Sequence, residues 1–427
     1  MQLANKKYIL SISGGNILTS LGGTEKVIIT HQKMFNASGI SYVYIYPVTK
    51  IIAGVQLYYY WGVVLDGEMV GIFETKALLS LLSCSENGDY LLMKVHIHHL
   101  RGILLDQLSE ILDYIREADI FCYLHDYYLV CDSYTLKNSS DKYCGSGMPS
   151  QEKCGNCAFW TLHGHAEERR KFILKYLDRM TFIAPSECPA EIIGDSIPEI
   201  GSRIRVIYHQ KAIGEYKGNR ESAPGEPLRV AFCGLPIRTK GWEDFLYAAE
   251  IATQRGAQVQ FYHLGKKDKE YAHIINCPVG FQDGSKTMTE MLRELKVDCV
   301  ILWSGCPETY SYVYYECFAA NTFILANNLS GNIAKQVIKN GNGIVLSGRE
   351  ELADLLSDSD KLRNLVVDYR ERRRYGPMDL VENDEIIILS MDDGVTMAPM
   401  TYKKLDIKRK IVEKAYLQHL KNKCRGK

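Results

Sequence analysis

CVILWSGCPETYSYVYYECFAANTFILA, residues 299–326, sets an apolar run, a polar loop, a helix-length segment and a second apolar run in that order. Residues 300–303 predict a buried strand, residues 311–320 a helix, and residues 323–326 the next strand. Strands joined through a helix in so short a span run parallel, with the helix packed on a face of their sheet. Asn321 follows the helix, where only Gly is better suited to the left-handed turn that ends many helices.

The same alternation continues on both sides. Upstream, strands at 229–232 and 258–264 alternate with helices at 242–255 and 288–296, and Gly234 opens the first loop. Downstream, Ser330-Gly331 follows a strand and Gly341-Asn342-Gly343 precedes another short apolar run. The first half repeats the scheme. A strand at 8–13, a loop holding Gly14-Gly15 and Gly22-Gly23, a helix at 25–36 and a strand at 41–46 open it. Helices at 104–118 and 170–180 and strands at 120–124 and 181–184 follow. Lys211 to Pro227 is polar and aperiodic, with three Gly and two Pro, and reads as a linker. The expectation is an α/β chain of two doubly wound, Rossmann-like domains, residues 1–210 and 228–357. Residues 358–427 form a partly helical extension without one repeating unit: a charged run at 368–374, a strand-like 386–389 and a basic 403–423.

At 427 residues the chain is too long for one ordinary core. Its 51 basic and 51 acidic residues cancel, so no global field recruits nucleic acid. The N-terminus lacks the apolar stretch and cleavage site of a secretory signal, and no apolar run reaches the length of a membrane span. Thirteen cysteines, an odd number scattered through strands and helices, fit a reducing cytoplasm better than a disulfide scaffold. Peripheral contact with the inner membrane face is compatible with these features.

Glu308 and Glu316 lie eight positions apart, one in the loop and one in the helix. That step spans roughly 12 Å at about 1.5 Å per helical residue, the reach of a nucleotide sugar's diphosphate. One carboxylate can hold a sugar hydroxyl and the other a ribose diol, while backbone amides of Thr309, Tyr310, Ser311 and Tyr312 face phosphate between them. Two acids beside a buried helix are otherwise ordinary, since acids favour helix starts. Arg238 and Lys240 occupy a loop between a strand and a helix, where open α/β sheets present ligand-binding side chains. Gly22 and Gly23 free the backbone at a helix start. His125 ends a strand and can bond a sugar hydroxyl or support developing charge. Asp126 is placed to orient its loop, and His98 and His99 read as structural. Cys131, Cys144, Cys154 and Cys157 share one polar loop and suit either a structural tetrahedral zinc or plain packing.

LGGTEK, YLHDYYLVC, FIAPSE, KGWEDF, FYHLG, PETYSYVYYE and NLSGNIAKQV, taken in order over most of residues 8–346, resemble the bacterial polysaccharide-type glycosyltransferases of family four. That resemblance implies the GT-B fold, with a cleft between the domains and a C-terminal helix crossing back to the first. Leu405, Ile407, Ile411, Tyr416, Leu417 and Leu420 could give that helix its apolar face. It also implies retention at the anomeric carbon without a catalytic cofactor or divalent metal. Gly22, Gly23, Gly234, Lys240, Gly241, His125, Glu308 and Glu316 match the family's motifs, whereas Leu235 stands where an Arg is expected. The implied donor is a nucleotide-diphosphate sugar, with UDP favoured, and the implied acceptor a glycan or lipid-linked oligosaccharide in surface polysaccharide synthesis. Alternatives are another GT-B enzyme, such as a nucleotide-sugar epimerase or phosphorylase, and a zinc-loop protein contacting nucleic acid through Arg370, Arg372, Arg373 and Arg374.

Overall fold

The computed structural model describes residues 3–20, 22–52, 55–83, 90–214, 226–266, 270–279, 286–372, 379–391 and 395–396. The first sheet comprises β1 (Lys7–Ile12), β2 (Ser41–Ile52), β3 (Val55–Leu65), β4 (Glu68–Phe73), β5 (Leu91–Ile97), β6 (Ile120–Tyr123), β7 (Met180–Ala184) and β8 (Ile204–Val206), in the order β4-β3-β2-β1-β5-β6-β7-β8. From β2 through β8 neighbouring strands are parallel, and β3 and β4 add an antiparallel edge. Sequence reading had only residues 41–46 as strand here. The hairpin beyond them was masked by aromatic runs with no clean period.

β9 (Gln210–Ile213) leaves this domain, and the second sheet follows: β10 (Leu228–Cys233), β11 (Val259–Gly265), β12 (Ile274–Pro278), β13 (Cys299–Leu302), β14 (Phe323–Asn327) and β15 (Gly343–Leu346). Its order, β12-β11-β10-β13-β14-β15, is the 3-2-1-4-5-6 pattern of a Rossmann domain, and every pair is parallel. Burial on both faces explains the continuous apolar runs. Phe232, Ile301 and Leu325 point into one core with Trp242 and Phe245, whereas Ala231, Val300 and Ile324 point into the other with Tyr314 and Ile333. The two Rossmann-like domains expected from sequence are thus present, and they meet where Thr309 of the second bonds His125 and Ser186 of the first.

The segment read first folds as expected. Ser311 caps helix Tyr312–Ala319, its Oγ accepting from the Tyr314 amide at 3.3 Å. Asn321 takes the left-handed turn at φ 57°. Asn rather than Gly also brings a carbonyl, which accepts a buried hydrogen bond from Tyr369 Oη at 2.8 Å.

Three expectations change. Residues 211–213 are not open linker but belong to β9, paired antiparallel with β16 (Asp379–Glu382), and residues 215–225 lie outside the described set. Helix Ser359–Arg372 belongs to the second core through Leu362, Val366 and Tyr369. Its Arg370 is tied to the buried Asp298 at 2.9 Å, so that side chain is not on offer to nucleic acid. Residues 386–389 are helical, within Glu385–Ser390, because the Asn383 side chain accepts from the Glu385 amide at 3.1 Å and starts a helix. That helix sends Ile386 and Ile387 into the first domain's core, and β17 (Val395–Thr396) pairs with β5. The chain therefore crosses back to the first domain. The basic segment and the helix expected from Leu405 to Leu420 lie outside the described residues. No helix among the described residues is long and apolar enough to cross a membrane.

Candidate functional site

The cleft is lined by strand ends. β10 runs into Gly234 at φ 120°, a short 3-10 turn Arg238–Lys240, and Gly241 at φ 79°, which opens helix Trp242–Gln254. A Cβ on Gly241 would stand 2.0 Å from the Trp303 carbonyl oxygen. Only glycine therefore lets this loop close on the one after β13, where the Gly305 amide donates to Thr239 O at 3.0 Å. That closure carries Lys240 Nζ to Glu308 Oε1 at 2.6 Å. Burial works against the Lys240 charge, but Glu308 outweighs it and holds the ammonium pKa above its usual value. The Lys240 side chain is nonetheless 44% exposed, so a ligand can reach it. Glu308 is fixed by its backbone, its carbonyl accepting from the Asn332 amide at 2.9 Å beside Gly331 at φ 60°. The Ser330-Gly331 turn thus serves to seat Glu308.

Glu316 lies not in that loop but on helix Tyr312–Ala319, within reach of the charge of Lys26 from the first domain. Burial raises its carboxyl pKa and Lys26 pulls it back down. Lys26 Nζ also stands 3.8 Å from the Tyr312 ring centroid. Lys26 is in the stretch GGTEK but was not singled out from sequence, because nothing local links it to residue 316.

Thr309 joins the domains: its hydroxyl donates to His125 O at 2.6 Å, and its carbonyl accepts from Ser186 Oγ at 2.6 Å. Tyr310 stacks on Tyr315 at 4.5 Å and meets His209 edge-on at 4.6 Å. With Ser311 spent as a cap, the side chains of this stretch position backbone.

His125 sits against Tyr123 and His98, and its Nε2 is 3.0 Å from His98 Nδ1. Burial, then the neighbouring His209, keeps its pKa well below the usual range, so the imidazole is neutral. With Nε2 engaged, Nδ1 is the nitrogen left for a ligand. Asp126 orients its loop as expected, accepting from the Tyr128 amide at 2.9 Å and bonding His99 Nε2 at 2.8 Å.

Gly22 and Gly23 do open helix Gly23–Ala37, but the chain's own anion occupies the spot. A Cβ on Gly22 would be 2.6 Å from Glu25 Oε2, and one on Gly15 3.2 Å from Glu25 Oε1. A phosphate there would first have to displace this carboxylate. Arg238 is not gathered with Lys240 and Glu308. Its side chain is 68% exposed and its Nε lies 3.2 Å from Asp141 Oδ2. Asp141 also holds Lys137 at 2.6 Å. Lys137 is buried, and its ammonium lies 3.4 Å from where a Cβ of Gly305 would stand, so it is a further cation at the cleft that sequence reading passed over.

Cys131, Cys144, Cys154 and Cys157 are free thiols, half-buried in one loop. They are electrostatic neighbours: burial pushes the Cys131 and Cys144 pKa values up, and the other cysteines of the loop add smaller contributions in the same direction. Their sulfurs nevertheless do not meet the 4.8 Å mutual spacing that another set of side chains reaches. As placed, they do not form a tetrahedral zinc shell.

No protein-family model matches the chain, and no curated protein does. Solved structures do. HepE of Anabaena, in complex with UDP, is 11% identical over 87% of this chain and 96% of its own, with a TM-score of 0.46. TarM is 8% identical over 86% and 94%, with a TM-score of 0.49. A glycosyltransferase from Rickettsia africae ESF-5 is 12% identical over 87% and 97%, with a TM-score of 0.49. At these identities the likeness is one of chain course and assigns no residue.

Proposed function

We propose that the chain is a retaining GT-B glycosyltransferase of the family-four kind, moving a sugar from a nucleotide-diphosphate donor, UDP favoured, to a hydroxyl of a glycan or lipid-linked oligosaccharide. The observation that carries this reading is the Lys240–Glu308 pair, a cation and an acid held 2.6 Å apart at the strand ends of one Rossmann-like domain and facing the other. A metal-free sugar transfer needs that combination: a fixed positive charge for the leaving diphosphate and an acceptor for a sugar hydroxyl.

The donor splits the pair. Lys240 turns to the diphosphate, Glu308 to a hydroxyl of the sugar, and Glu316 to the ribose. Neutral His125 offers Nδ1 to the sugar from the first domain. The bond between the anomeric carbon and the diphosphate oxygen breaks, and its electrons pass to that oxygen beside Lys240. The acceptor hydroxyl attacks on the same face, and its proton goes to the departing phosphate. Transfer would suit a chain working at the inner membrane face in surface polysaccharide synthesis. The thiol loop is given no part in these steps.

A thermal-shift screen with UDP, GDP, dTDP and their sugars tests the reading, because a ligand bound only by the folded state raises Tm by mass action. UDP should give the largest rise, and incubation with a UDP-sugar and an acceptor should release UDP with a new glycoside. Failure of every nucleotide to raise Tm would sink the proposal.

A further inference from the structure

Sequence reading left His98 as structural and did not separate out His96. His96 lies on β5 and His98 directly follows its end, where the His98 amide still donates to Ile12 O at 2.8 Å, so the two side chains, two positions apart, share one face of the sheet. His31 reaches them from helix Gly23–Ala37, and all three are buried, at 7%, 0% and 1% exposure for His31, His96 and His98. Each offers a ring nitrogen within 4.8 Å of the others. The rings form a near-equilateral triangle, with centroids 6.3, 5.6 and 6.2 Å apart. Three imidazoles sharing one ion at about 2.0–2.1 Å have centroids roughly 5–5.5 Å apart, so closure asks for less than about 1 Å.

The hydrogen bonding carries the case further. His31 Nδ1 is buried without a partner, a costly state for a polar atom in a core. Each strand imidazole has one nitrogen tied outward: His96 Nε2 to Ser390 Oγ at 3.2 Å, and His98 Nδ1 to His125 Nε2 at 3.0 Å. Proteins orient metal-binding histidines through such second bonds. The other nitrogens meet only phenol hydroxyls, Tyr123 at 3.1 Å from His96 and Tyr42 at 3.4 Å from His98, whose protons can rotate aside. Phe35 and Phe121 pack on His96 at 5.5 Å and keep the place dry. A small pocket lined by His31, Tyr123, His209 and Glu382 borders the triangle.

We propose that His31, His96 and His98 bind a divalent first-row transition ion through neutral nitrogen. Burial keeps all three imidazoles uncharged, with the His31 pKa lowered to about 3. Without an oxygen ligand the set disfavours Mg²⁺ and Ca²⁺ and favours Zn²⁺, Ni²⁺ or Cu²⁺. The ion cross-links the first helix to the central strand. It lies behind His125 and does not depend on the glycosyltransferase reading.

The test uses untagged full-length protein carrying C144S/C154S/C157S, so that the cysteine loop, left with Cys131 alone, cannot account for bound metal. Zn²⁺ and Ni²⁺ should each raise Tm while Mg²⁺ does not, elemental analysis should find a single ion per chain, and Cu²⁺-loaded protein should show nitrogen hyperfine splitting in its EPR spectrum. His31→Leu fills the same space without a ligand. It should abolish the metal-dependent rise while keeping or raising the metal-free Tm. Should that variant not fold, His31→Gln takes its place and should also lose the rise. An unchanged rise in the His31 variant, absence of any rise in the parent, or a Cu²⁺ spectrum without nitrogen splitting overturns the proposal.

Discussion

The Lys240 side chain is 44% exposed where it meets Glu308, and that makes the lysine testable separately from the fold. Lys240→Ala should lower kcat by about 10²–10³-fold, as loss of a charge-stabilising group does elsewhere, with little change in Tm. Steady-state rates on a UDP-sugar beside a melting curve check both halves. Glu316 behaves differently because desolvation outweighs the charge of Lys26 at its carboxyl. Its carboxyl pKa is raised in the folded chain by desolvation. The folded state therefore binds its proton more tightly than the unfolded state, and stability is lost as pH rises from the ordinary value of 4.5 through the raised one. Glu316→Gln removes that loss. Its Tm should exceed the wild type's at neutral pH, with the difference vanishing below about pH 4, while calorimetry shows weaker nucleotide binding. Wild-type affinity in this variant would count against a ribose role.

At the scale of elements, the loop from Gly234 to Gly241 and the capped helix Tyr312–Ala319 do the positioning. Gly241→Ala drives a methyl to 2.0 Å from the Trp303 carbonyl and demands a left-handed turn of a residue that resists it. A cost of about 3 kcal/mol or more is expected, read by urea denaturation, with activity falling further than stability because Lys240 moves. Arg370→Ala should cost about 3–5 kcal/mol, since it takes away the guanidinium bonded to the 1% exposed Asp298 side chain. These elements also mark where sequence was readable. Strands 299–302 and 323–327 announce themselves because burial on both faces makes their runs continuously apolar, and Ser311 and Asn321 punctuate the helix between them. Lys26, Lys137 and the histidine triangle were illegible for a physical reason. Each acquires its meaning from a partner distant in sequence, as Lys137 does from Gly305. Arg238 misled because a strand-end loop limits where a side chain can begin, not which neighbour it turns to, and Asp141 claimed it.

Across the whole molecule, contacts between the domains are mostly polar: Thr309 with His125 and Ser186, Lys339 with Glu187 at 3.0 Å, and Lys335 with Glu191. An apolar tie is the returning helix. Ile386→Ala should therefore cost about 2–4 kcal/mol, measured by denaturant titration, and should loosen the first domain's hold on the chain end. β9 and β16, the outgoing and homecoming passages between the domains, are laced side by side in a single antiparallel ladder. Doubled in this way they resemble the spine of a book, binding the two domains along a line of four residue pairs rather than through a single strand.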